Sequence, residues 1–185
     1  MAEIEDAIER ADRESFTRQP PKTLQARINF LMKQLKTTKA VAQEIGVSQR
    51  SVERYRKGER KHPPKAIAER IDAAVRQRWQ PQVRKRRQQQ AAATGGITVE
   101  TRARFGYTAP VGTTDDGRFR RLTVHLPPTY AQRLFNARDA GASDQQMRQI
   151  IAEGFKDVYF QDGGARATGL SDVTLNDIDY LDLDY

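Results

Sequence analysis

Hydrophobic positions recur at helical spacing through residues 1–90 and change period beyond them. Ile4, Ala7, Ile8 and Ala11 follow the i, i+3, i+4, i+7 pattern and predict a short amphipathic helix over residues 3–14. Gln19-Pro20-Pro21 interrupts it, and Leu24, Ile28, Leu31, Met32 and Leu35 set the stripe of a second helix over 22–36. Thr37 and Thr38 offer N-cap hydroxyls for a third helix over 39–45. Gly46 suits a tight turn, Val47 turns inward, and Ser48 caps a fourth helix over 49–57 that Gly58 stops. After Lys61-His62-Pro63-Pro64, the residues Ile67, Ile71, Ala74 and Val75 mark a fifth helix over 65–80, which Pro81 kinks or ends. Residues 84–90 read as a basic, polar extension without an apolar stripe, and 91–96 as a linker.

From Ile97 to Arg102 the chain alternates like a strand, and residues 105–117 are rich in turn formers. Residues 118–126 alternate again, with Leu122, Val124 and Leu126 on one face and Arg121, Thr123 and His125 on the other. Pro127-Pro128 opens a helix through about residue 140, and Ser143 caps another over 144–160. Residues 173–185 alternate acidic and apolar positions, as a strand or a docked segment would. The pattern predicts a mainly α N-terminal helix-turn-helix domain and an α+β C-terminal domain. The expected boundaries are an N-terminal helix and linker over 1–21, a basic domain over 22–90, the linker 91–96, and a C-terminal domain over 97–185 ending in an acidic tail.

Charge sharpens this division. The 185 residues hold 32 Lys and Arg against 24 Asp and Glu, a net +8. Residues 22–87 alone hold 19 basic and 5 acidic residues, a net +14, whereas 157–185 hold 7 acidic residues against Arg166. A basic block followed by an acidic stretch predicts one half that binds a polyanion and one that does other work. With no cysteine, disulfides, thiolate metal sites and cysteine nucleophiles are excluded. Two histidines far apart, His62 and His125, do not make a metal site. The acidic start has no secretory pattern and no stretch reads as membrane-spanning, which leads to the expectation of a cytoplasmic protein without a membrane partner.

The run from Thr38 to Lys57 has the spacing of a helix-turn-helix. Ala42 is small where two helices cross, Gly46 permits the turn, and Val41, Ile45, Val47, Val52 and Tyr55 form the buried set. The second helix then turns Ser48, Gln49, Arg50, Glu53 and Arg54 outward, where a major-groove reader needs them. Arg and Gln match guanine and adenine edges with paired hydrogen bonds. Arg56, Lys57 and Arg60 follow as phosphate contacts, and Arg84, Lys85, Arg86 and Arg87 extend the basic surface. Trp79 reads as a core or inter-domain anchor in preference to a base-stacking residue.

A second stretch, Arg104 to Gly117, holds Thr113 and Thr114 beside Asp115 and Asp116 in a glycine-bounded turn. Physics alone reads it as a hairpin tip whose Thr and Asp side chains bond their own backbone.

Several residue runs carry a resemblance. They are Lys33-Gln-Leu-Lys36, Thr38-Lys-Ala-Val-Ala42, Gly46-Val-Ser-Gln-Arg50, Val52-Glu-Arg-Tyr55, Arg78-Trp-Gln-Pro81, Thr101 to Pro110, Gly112-Thr-Thr-Asp-Asp116 and Val158-Tyr-Phe-Gln-Asp-Gly-Gly164. Across nearly its whole length the chain resembles the telomere-protecting terminal proteins of Streptomyces-type linear chromosomes. The resemblance implies protein-primed DNA synthesis: a threonine hydroxyl takes the place of a primer 3′-OH and becomes covalently joined to the DNA 5′ end. It places the acceptor at Thr114, with Thr113 as the alternative and Asp115 and Asp116 as possible support; Tyr107 and Thr108 are competing hydroxyls. It implies as partners telomeric DNA including a single-stranded overhang, a DNA polymerase, and a telomere-associated recruiting protein. The chain would then be a primer, not a turnover catalyst, with no cofactor of its own and with magnesium supplied through the polymerase. Location at the nucleoid follows, and self-association stays open.

A helix-turn-helix transcriptional regulator is the competing reading. Its C-terminal half would be a dimerising or ribbon-helix-helix-like module with Arg121, Thr123 and His125 outward.

Overall fold

The computed structural model describes residues 3–108, 118–165, 167 and 169–185. It is mostly helical with one small antiparallel sheet. The elements are α1 (Glu3–Glu14), α2 (Leu24–Leu35), α3 (Thr38–Ile45), α4 (Gln49–Lys57), α5 (Lys65–Arg78), α6 (Pro81–Gln90), β1 (Ile97–Thr108), β2 (Arg118–Leu126), α7 (Pro128–Asp139), α8 (Asp144–Phe155) and β3 (Asp172–Asp184). No helix among the described residues is long and apolar enough to cross a membrane.

The chain divides into a helical unit, Phe16–Gln82, and an α+β unit built from Met1–Ser15 and Val83–Tyr185. The helical unit is therefore inserted into the other. The expected boundaries need correction on three points. α1 belongs with the C-terminal half because its face of Ile4, Ala7 and Ile8 is fully buried in that core. Residues 81–90 form a helix and belong there too. The expected linker 91–96 is a π-helical turn, Ala91–Gly95, with Ala91 buried.

The helical unit is built by local signals. Thr23, Thr37 and Ser48 cap α2, α3 and α4 by accepting from the amides of Ala26, Ala40 and Ser51 at 3.2, 3.1 and 3.2 Å. Gly46, at φ 68°, closes α3: its own N–H reaches the Gln43 carbonyl at 3.3 Å, and that of Val47 reaches Ala42 at 2.9 Å. Ile28, Leu31, Val41, Ile45, Val52, Tyr55, Ile71 and Val75 form its core. Val47 is only partly buried against it. Trp79 packs edge-on to Phe30 at 5.1 Å and donates to the Arg18 carbonyl at 2.9 Å, so it anchors this unit's own packing.

In the α+β unit the strand order is β2-β1-β3, all antiparallel. The sequence pattern stopped β1 at Arg102, but it runs to Thr108. The acidic C-terminal stretch is β3, with Val173, Leu175, Leu181 and Leu183 turned into the core. Helices α1, α7 and α8 contribute Ile4, Ile8, Leu134, Phe135, Ile151 and Phe155 to the same core. Phe105 of β1 meets Phe155 and Phe160 edge-on at 5.4 and 5.7 Å. The helix expected over 144–160 ends at Phe155 and continues as a π-helical turn, Lys156–Phe160.

A buried polar cluster ties the ends of this unit together. Asp12, 3% exposed, accepts from Gln88 of α6 at 3.0 and 3.1 Å and from the hydroxyl of Tyr185 at 2.6 Å. Arg138 of α7 lies 4.0 Å away. Burial and the Asp12 carboxylate together hold the Tyr185 hydroxyl well above the ordinary tyrosine range.

Gly96 opens β1 at φ 69° and ψ −163°, a conformation open essentially to glycine alone. A Cβ there would stand 2.3 Å from the Leu126 carbonyl oxygen, which as backbone cannot step aside. Gly96→Ala is expected to destabilise this unit by about 3 kcal/mol, seen as a lowered urea midpoint with an unchanged slope.

Candidate nucleic-acid interface

Helix α4 buries Val52 and Tyr55. Its 3.6-residue period therefore turns Arg50, Glu53, Arg54 and Lys57 together onto the opposite, exposed face. Gln49 and Arg56 flank that stripe and are also exposed. Ser48 is exposed too, but its hydroxyl is engaged as the N-cap and lies 3.0 Å from that of Ser51. Arg54 is drawn to Glu59 at 3.8 Å, and the Arg60 guanidinium lies over the Tyr55 ring at 5.9 Å. Gln25 of α2 donates to the Arg56 carbonyl at 2.9 Å and fastens the C-terminal turn of α4. Arg50, Glu53 and Lys57 have no ion pair among the described residues, so their charge is directed to solvent.

The charge divides more cleanly by structural unit than by sequence half. Phe16–Gln82 holds 16 basic and 5 acidic residues, a net +11. The α+β unit holds 16 and 19, a net −3. Arg84, Lys85, Arg86 and Arg87 lie on α6 and so belong to the acidic unit, not to the helical unit that carries α4. Lys85, Arg86 and Arg87 are exposed; Arg84 is half-buried. Arg78 is bound to Glu44 at 3.0 Å and to the Ala74 carbonyl at 3.2 Å, which occupies it inside the helical unit.

Thr113, Thr114, Asp115 and Asp116 lie outside the described residues, as do the side chains of Tyr107 and Thr108. In the strands on either side, Phe105 pairs with Arg118 and Arg104 with Phe119.

The sheet face turned away from the core carries residues that the sequence pattern did not single out. Phe119 is 44% exposed, with the guanidiniums of Arg104 and Arg102 over its ring at 5.2 and 5.7 Å. Arg121, expected outward together with Thr123 and His125, is exposed on this face. It bonds Glu100 at 2.7 Å, and the Tyr180 hydroxyl donates to the same carboxylate at 3.0 Å. The Arg121 bond, with that of Tyr180, holds Glu100 below the ordinary carboxylate range. The signal for Phe119 was present in the sequence as an aromatic on the polar side of an alternating strand.

No family model, curated protein or solved structure matches this chain.

Proposed function

We propose that this chain is a DNA terminal protein: it binds telomeric DNA through a helix-turn-helix and primes end-patching synthesis with a threonine hydroxyl. The observation that carries the DNA-binding half is the exposed α4 stripe of Arg50, Glu53, Arg54 and Lys57 on a unit of net charge +11. In this reading α3 and α4 are the two helices of the motif, and α4 lies in the major groove. Arg50 and Gln49 contact base edges, Glu53 accepts from a cytosine amino group, and Arg56, Lys57 and Arg60 neutralise phosphates. Lys85, Arg86 and Arg87 add phosphate contacts from the second unit.

The priming half rests on the resemblance of residues 101–116 to the terminal-protein family. The Thr114 hydroxyl oxygen attacks the α-phosphorus of a deoxynucleoside triphosphate. A Thr–O–P bond forms, the α–β P–O bond breaks, and pyrophosphate leaves; the hydroxyl proton passes to a base in the polymerase site. Metal ions held by the polymerase would supply the charge stabilisation for this transfer. A recruiting protein at the telomere brings the two together.

The deciding experiment is recovery of the chain from cells carrying a linear replicon, under fully denaturing conditions. A terminal protein stays joined to DNA 5′ ends, and nuclease digestion leaves a nucleotide on the peptide spanning Thr113 and Thr114. A helix-turn-helix regulator, which the same α3–α4 pair would equally serve, separates completely.

Binding itself has a sharper signature. Arg50→Ala is expected to weaken specific duplex binding about tenfold and to relax selection at one base position. Lys57→Gln is expected to weaken all sequences alike and to lower the slope of log affinity against log salt by about 1. Competition binding across a salt series reads both. Equal effects of the two variants on every sequence would remove α4 from base readout.

A further inference from the structure

We propose that the open face of the β2-β1-β3 sheet is a binding surface for single-stranded DNA, on which a base stacks over Phe119 and the phosphates are held by Arg102, Arg104 and Arg121. The inference rests on the terminal-protein reading only in choosing DNA as the polymer. The surface itself is argued from its construction.

Phe119 and Tyr159 are the exposed large hydrophobic side chains among the described residues. Phe119 stands near the start of the edge strand β2, whose alternate residues Val124 and Leu126 fill the core. Nothing in the alternation requires an aromatic ring there. Instead of being covered by apolar neighbours, it lies under two guanidiniums, Arg104 directly opposite it in the ladder and Arg102 one step along the same face. Arg121 lies opposite Arg102 and extends the cationic row. An exposed ring flanked by arginines on an open sheet is the composition that single strands use: every base has a face to stack, and the phosphates need only positive charge.

Arg121 is held by Glu100 of β1 at 2.7 Å, and Arg102 and Arg104 by an irregularity of β3. The β1–β3 register slips twice, so that Asp179 and Asp177 are extra residues opposite Arg102/Ala103 and Ala103/Arg104. Asp177 takes φ 41°, a left-handed conformation rare outside glycine. Each bulge turns a second consecutive residue toward the open face. Asp179 then reaches Arg102 at 2.8 Å and Asp177 reaches Arg104 at 3.5 Å. Both pairs are about half exposed, with side chains between 45% and 65% accessible. Exposed pairs of this kind contribute little, so a phosphate can displace the carboxylate while the guanidinium stays on the ring. The two aspartates thus orient the arginines and moderate the charge of the face.

The test uses the full chain and fluorescence anisotropy with two probes: a labelled single strand of about 12 nucleotides and a labelled telomeric duplex. Phe119→Ala is expected to weaken single-strand binding about tenfold, and Phe119→Leu to weaken it similarly, since leucine offers area but no ring. Asp177→Asn with Asp179→Asn is expected to strengthen single-strand binding several-fold and to steepen its salt dependence. Duplex binding should be unchanged in all of them, because they alter neither α4 nor the Lys85–Arg87 run of α6. Thermal midpoints close to that of the parent establish that the variants fold.

Single-strand affinity that ignores Phe119→Ala would overturn the proposal. So would a loss in the alanine variant that leucine restores, which would mark an apolar docking face for a protein. Tighter capture of an RNA strand of the same sequence would overturn the choice of DNA. A parent chain that binds duplex but no single strand sinks this inference and leaves the proposed function standing; one that binds the single strand but no duplex does the reverse.

Discussion

Deleting residues 1–15 is expected to unfold the α+β unit while Phe16–Gln82 stays folded. The apolar face of α1 is not an accessory cover. Ile4 and Ile8 are 0% and 1% exposed, and Ala7 is fully buried. Truncating one fully buried isoleucine costs about 2–5 kcal/mol. Losing both, with the rest of the helix, approaches the whole stability of a typical domain, about 5–15 kcal/mol. The polar losses act in the same direction. The Ile4 amide donates to Asp144 at the start of α8 at 2.8 Å, and Glu3 holds Arg148 at 2.9 Å. Arg10 donates to the Leu181 carbonyl of β3 at 2.6 Å. Removing Asp12 strips Gln88 and Tyr185 of a shared buried acceptor, and each orphaned group costs about 1–3 kcal/mol.

Two-dimensional amide NMR reads the outcome residue by residue. The truncated chain should keep dispersed signals from 16–82 and lose them from 83–185. Dispersed β-strand signals from β1–β3 after the deletion would show that α1 is dispensable. Ile8→Ala, within the full chain, is the graded version, and should lower the urea midpoint of the α+β transition alone.

What could be read from the sequence follows the range of the forces involved. Helices α2, α3 and α4 were legible to within a few residues because their signals are local: Thr37 and Ser48 at the starts, Gly46 and Gly58 at the ends. The exposed stripe of α4 was legible for the same reason, since burying Val52 and Tyr55 fixes where Arg50 and Lys57 point. Helix α6 was not. Its sequence has no apolar stripe, and its visible anchors are long-range and polar, Gln88 to Asp12 and to Arg138. Nor can an amphipathic pattern over residues 3–14 say which core it joins; its partners, Asp144 and Leu181, lie more than a hundred residues away. Gly95-Gly96 looked like a linker because glycine marks both flexible segments and strained ones, and Gly96 is of the second kind. The alternation of 173–185 pointed to a strand, but the double bulge at Asp177 and Asp179 breaks the period by which a pattern assigns faces. For that reason the pairing of Asp177 and Asp179 with the arginines beside Phe119 became visible only in three dimensions. Among the described residues, β3 forms ion pairs with Arg10, Arg102 and Arg104.

The largest functional effect is expected at Thr114. If the chain primes synthesis, Thr114→Ala should reduce attachment of labelled nucleotide to background, in a reaction holding polymerase, telomeric template and one labelled triphosphate. The size follows from the chemistry. Positioning and metal activation multiply the reactivity of a nucleophile that is present, whereas a methyl group has no lone pair to offer, so the loss is complete and not graded. Thr114→Ser should retain most of the labelling because it keeps the oxygen. Asp115→Asn and Asp116→Asn should leave a residual signal, since neither carries the acceptor atom. Duplex binding should be the same in all four variants, because residues 109–117 are separate in the chain from α4 and from its unit. Labelling that survives Thr114→Ala but not Thr113→Ala would move the acceptor by one residue and keep the mechanism. Labelling that survives removal of both hydroxyls would exclude the segment, and would turn attention to Tyr107 and Thr108 at the end of β1.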